Sequence, residues 1–133
     1  GGAFSEVIKS CPAIGEMTDL IGQLPIPTIL IPFFCGAIMM TAVGSMTTAG
    51  LTAVGVVGPM MATLGLSPVA ATLAIGAGTL CFNHVSNSGF WVVSRFFNLG
   101  TITQGLKYIT IPDAVAGVFS MILLLVCNLI GII

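Results

Sequence analysis

Nine consecutive residues, Asn83-His84-Val85-Ser86-Asn87-Ser88-Gly89-Phe90-Trp91, gather amides, hydroxyls and the chain's one imidazole into a single stretch. A second polar cluster, Gly44-Ser45-Met46-Thr47-Thr48-Ala49-Gly50, lies some forty residues earlier. These groups bind polar solutes well and cleave bonds poorly. Ser88 and His84 lack an acid to orient the histidine, and Ser88 has no nucleophile-elbow context. Cys81 and His84 stand three apart, but no second pair completes the four ligands of a closed zinc site. Asn83 and Asn87 can each donate and accept; they either meet a solute or cap the backbone. Ser45, Thr47 and Thr48 either face a solute or bond back onto their own helix. His84 is the chain's one histidine, the side chain type used as a switch near neutral pH. It is open to three roles: proton carrier, donor to a bound carboxylate, or structural pin. No cofactor is implied.

The elements that hold these clusters are apolar. Charged residues make up 5% of the chain, against about 25% in a soluble domain. No Asp, Glu, Lys or Arg occurs between Asp19 and Arg95, and mean hydropathy is +1.16. The class is therefore an all-α integral membrane protein whose partner is the lipid bilayer. A barrel would alternate in polarity over segments of about ten residues, whereas these runs are continuous and rich in Gly and Ala. A net charge of −1 gives no case for nucleic acid. Cys11, Cys35, Cys81 and Cys127 are widely spaced and read as reduced packing residues.

Taken in order, residues 1–25 read as the end of a preceding helix followed by an interfacial amphipathic helix carrying Glu16 and Asp19. The chain starts Gly-Gly-Ala-Phe, without Met, which reads as a piece of a longer polypeptide whose N-terminal part would be a partner to it. Residues 26–64 hold two short apolar arms joined by the Gly44–Thr48 cluster, with Pro32 as an expected kink and Gly58-Pro59 as an interruption. This pattern suggests a re-entrant hairpin, or else two ordinary spans with a tight turn. Residues 67–97 form a helix capped by Ser67-Pro68, with a stripe of small residues at Ala70, Ala74 and Gly78 that admits a close neighbour. That helix breaks at Asn83–Ser88. Phe90, Trp91, Phe96 and Phe97 around Arg95 resemble an interfacial belt. Residues 98–111 are expected to form a cytoplasmic loop, on the basis of Arg95 and Lys107. Residues 112–133 form the final span. Two helix breaks at membrane depth expose main-chain dipoles, and helix N-termini favour anions. A small carboxylate solute could be held there without Arg or Lys.

The segments Gly44-Ser45-Met46-Thr47-Thr48-Ala49, Ser67-Pro68 with Ile75-Gly76-Ala77-Gly78, and His84-Val85-Ser86-Asn87-Ser88-Gly89-Phe90-Trp91 resemble the C-terminal part of the gluconate permease (GntP) family. The resemblance covers essentially the whole chain. It implies symport of sugar acids such as gluconate, or of D-serine and related hydroxy and amino acids, with a proton or another cation as coupling ion. It also implies an ion-transporter fold in which inverted repeats each carry a hairpin and a broken helix. The substrate site would comprise Gly44, Ser45, Thr47, Thr48, Asn83, His84, Ser86, Asn87 and Ser88, with His84 the candidate for proton coupling. A homo-oligomer in a bacterial inner membrane is the expected setting. The family motif reads His-Val-Asn-Asp-Ser-Gly-Phe-Trp; here Ser86 replaces an amide and Asn87 an acid, and bulky Met46 stands where a small residue is usual.

Overall fold

The computed structural model describes residues 26–131, which form helices and turns with no strand among them. The proposed helices of residues 1–25 lie outside the described residues. Helix α1 spans Leu30–Val43. Pro32 falls within its first turn, where an N–H would have no helical partner, so the expected kink is absent and Pro32 is buried instead. Gly44 ends α1 in the left-handed conformation (φ 68°), donating its N–H to Met40 O at 3.0 Å. Ser45 is extended, and α2 begins at once, Met46–Val57. Pro59 has no N–H to donate, and there the helix tightens into a 3₁₀ turn over Gly58–Met60. It resumes as α3, Met61–Leu64, and stops at left-handed Gly65.

Ser67 caps α4 (Pro68–Cys81) by accepting the Ala70 N–H at 3.1 Å, with Pro68 in the first turn. Helix α4 is the centre of the fold. Its small-residue stripe is fully covered: Ala70 and Ala74 are both 0% exposed. At Gly78 the α1 backbone is so close that an added Cβ would strike Phe33 O. A second face of α4, Ala71 and Ile75, meets Ala53 and Val57 of α2. Tight backbone contact of this kind suits helices in lipid, where van der Waals packing replaces the hydrophobic drive between helices.

After a six-residue link (82–87), α5 runs Ser88–Phe96. Phe90, expected in an interfacial belt, is 1% exposed and abuts Gly105, while Trp91, Phe96 and Phe97 are exposed. The loop expected over 98–111 is mostly helical. Thr101 caps α6 (Ile102–Gly105), which passes through a widened π-type turn at Leu106–Thr110 into α7, Ile111–Ile130. Pro112 explains the widened turn, since its ring would crowd a regular helix and it has no N–H to give. Gly117, Met121 and Leu124 form the buried stripe of α7; Met121 and Leu124 join Ile29, Phe33, Ala70, Ala74 and Ala77 in one core.

Met46–Leu64 and Ile102–Ile130 are each long and apolar enough to cross a membrane. Helices α1 and α4 have 14 residues each, about 21 Å at 1.5 Å per residue, short of the roughly 30 Å hydrocarbon core. Val115, Val118, Phe119, Ile122 and Leu129 point outward on α7, as a lipid-facing helix requires.

Candidate functional site

The two polar clusters meet. A Cβ added to Gly44 would collide with Ser86 O and stand 2.9 Å from the Ser86 carbonyl carbon. Only glycine combines that close approach with the positive φ of the turn. Helices α2 and α5 each begin two residues beyond this contact, at Met46 and Ser88.

At the hairpin tip, Ser45 O accepts the Ala49 N–H at 2.8 Å, but its side chain does not cap the helix. Thr48 Oγ1 donates to Ser45 Oγ at 3.2 Å. Thr47 and Thr48 are exposed and Ser45 is half-buried. The first turn of α2 therefore keeps its positive partial charge without a side-chain cap.

The link is organised differently. Asn83 is 8% exposed, so its amide needs partners on both sides. Its Nδ2 donates to Asp113 Oδ2 at 2.6 Å, and its Oδ1 accepts from Asn87 Nδ2 at 2.7 Å. Asn87 Oδ1 accepts the Gly89 N–H at 2.9 Å, capping α5. The two asparagines thus act as frame and cap. Trp91 Nε1 donates to Val85 O at 2.8 Å and ties the middle of the link to α5. Ser88 is exposed on the first turn of α5.

His84 faces Ser86. Its Nδ1 accepts the Ser86 N–H at 3.2 Å, with the Ser86 hydroxyl at 3.0 Å from the same nitrogen. A backbone N–H can only donate, so Nδ1 is the acceptor in this contact.

The residue that sequence reasoning missed is Asp113. It reaches back to the link from the first turn of α7, and Cys81 Sγ adds a contact to Ala114 O at 3.6 Å. Its only sequence signal was that it is the single acid after Asp19. Among the described residues no cluster of His, Cys, Asp or Glu could hold a metal ion, and the side chains at the two breaks are hydrogen-bond donors and acceptors.

Comparison with known proteins identifies the family of the chain. The model of the GntP family permeases matches residues 1–130. The high-affinity gluconate transporter of Escherichia coli K12 is 31% identical over 130 residues, covering 98% of this chain and 30% of the relative. A gluconate permease of Pseudomonas aeruginosa is 30% identical, covering 98% and 29%. The D-serine transporter DsdX of Escherichia coli K12 is 30% identical, covering 91% and 27%. No solved structure matches. The chain spans about 30% of the length of the first of these relatives. The family and these relatives are permeases and transporters, not enzymes. With the family match running over nearly its whole length, the chain belongs to the GntP permease family.

Proposed function

We propose that this chain supplies part of the solute site of a secondary carrier for small hydroxy- or amino-carboxylates, with gluconate-like sugar acids and D-serine as the leading candidates. One observation carries the reading: Gly44 at the hairpin tip touches Ser86 in the broken helix, which brings two helix starts and a set of hydroxyls to one place. Helix N-termini favour anions, so they suit a carboxylate. Ser45, Thr47, Thr48, Ser86 and Ser88 suit the hydroxyl or amino group beside it. Asn83 and Asn87 hold the frame. The names of the relatives, which include gluconate and D-serine transporters, fit that chemistry.

In this reading residues 26–64 form a re-entrant hairpin and residues 67–97 a broken helix, within one of two inverted halves in a bacterial inner membrane. The two halves rock to expose the site to either side. Coupling to protons runs through His84: protonation at Nδ1 turns it from acceptor of the Ser86 N–H into donor to the Ser86 hydroxyl, and that exchange shifts the seat of the tip.

Counterflow in vesicles tests the proposal. The full-length protein should exchange labelled gluconate or D-serine for unlabelled solute and saturate. Flux that neither saturates nor exchanges marks a pore and ends the carrier reading. Replacing His84 with Gln should flatten the pH dependence of uptake; an unaltered profile removes His84 from proton handling.

A further inference from the structure

We propose that Asp113 is a positioning residue for the solute site, setting through Asn83 and Asn87 the direction of a hydrogen-bond chain that ends on the first turn of α5. The proposal rests on reading the two breaks as that site. An ionised carboxylate only accepts hydrogen bonds. Asp113 Oδ2 takes the Asn83 Nδ2 at 2.6 Å, which turns Asn83 Oδ1 toward Asn87 Nδ2 at 2.7 Å and leaves Asn87 Oδ1 for the Gly89 N–H at 2.9 Å. Each amide has one donor end and one acceptor end. Turning Asn83 over would set its oxygen against the carboxylate and its NH₂ against the NH₂ of Asn87. Turning Asn87 as well would direct its NH₂ at the Gly89 N–H and uncap α5. The chain closes in one sense only, set at one end by the Gly89 N–H, which only donates, and held at the other by the carboxylate, which only accepts. Asp113 lies thirty positions from Asn83 and on another helix, so it orients the binding face without touching solute.

Four variants of the full-length protein test this. Asp113→Asn keeps an acceptor oxygen toward Asn83, whereas Asp113→Leu removes it at similar volume. Asn83→Asp sets two carboxylates against each other. Adding Asp113→Asn to Asn83→Asp restores complementary ends, because the amide at 113 then donates to the carboxylate at 83, which still accepts from Asn87.

The KM for solute should rise about tenfold in Asp113→Leu, the size of losing one charge-assisted hydrogen bond, with maximal rate little changed. Asp113→Asn should stay within about threefold of the parent, since the acceptor remains. Asn83→Asp should lose at least about tenfold and the double variant should recover most of it. Amide exchange at Gly89, measured without solute, should speed up in Asp113→Leu and return toward the parent rate in Asp113→Asn. Equal affinity and equal Gly89 protection in Asp113→Leu and the parent overturn the proposal. So does failure of the double variant to recover while it melts as a folded protein. If Asn83→Asp does not fold, the Leu and Asn pair at 113 decides. A parent protein that binds no carboxylate refutes the site reading, and the Gly89 exchange pattern then still decides whether Asp113 orders the chain.

Discussion

The hairpin tip and the helix link are both breaks in apolar helices, yet they are stabilised by opposite means. The tip is two residues long and is held by backbone shape: a left-handed Gly44, an extended Ser45 and one main-chain bond to Ala49. Its hydroxyls make a single mutual contact, Thr48 to Ser45. The link is six residues long and is held by side chains: Asn83, Asn87, His84 and Trp91 each bond across it or out of it. One break thus keeps its polar groups available, and the other spends most of its own on staying rigid. If the two breaks form the solute site proposed above, this division would set a fixed wall facing a responsive one.

The contrast is broken most severely at the point where the two regions touch. Gly44→Ala meets two penalties: about 1–2 kcal/mol for left-handed backbone and roughly 1–3 kcal/mol for overlap with the Ser86 carbonyl. We expect a loss of about 2–5 kcal/mol, read as a large fall in melting temperature of the purified protein. A melting curve like the parent's would mean that tip and link do not rest on each other.

Next in size is Asn83→Leu. It leaves the Asp113 carboxylate and the Asn87 amide without their partners near the protein interior, at a cost of about 2–4 kcal/mol. Thermal unfolding measures it. If the link is as rigid as its bonding implies, proteolysis within 82–87 should rise in parallel. Trp91→Phe is milder: it keeps the ring and removes one bond to Val85 O, about 0.5–1.5 kcal/mol. A loss of several kcal/mol would assign Trp91 a packing role that its exposed position does not suggest.

The reach of sequence reasoning follows the same divide. Local devices were readable because their chemistry is local. Ser67-Pro68 caps α4, Gly44 turns the hairpin and the Ala70–Ala74–Gly78 stripe admits a neighbour, each through residues within a few positions of one another. The helix break at 82–87 was readable because polar residues interrupt an apolar run. What escaped was non-local or depended on exact register. Pro32 was misread as a kink because the first turn of α1 starts four residues later than apolar character suggests. Residues 98–111 read as a loop with room for a short amphipathic helix, whereas most of the segment is helical and joins α7 through a widened turn. The Asn83–Asp113 bond joins positions thirty apart, and no periodicity encodes that pairing. Asp113 stood out only as an isolated charge.

The smallest expected change in stability is also the most informative about function. Ser45→Ala removes a hydroxyl that caps nothing and receives only the Thr48 Oγ1 contact. Its cost to folding should be within about 0.5 kcal/mol, as for surface substitutions away from special features. If the tip is the responsive wall, the same change should raise KM for a hydroxy- or amino-carboxylate by roughly five- to tenfold, the worth of one hydrogen bond to a charged solute. Measuring melting temperature and uptake on one preparation separates the two effects. A fall in stability with unchanged KM would make Ser45 part of the frame, and tip and link would then differ in length but not in role.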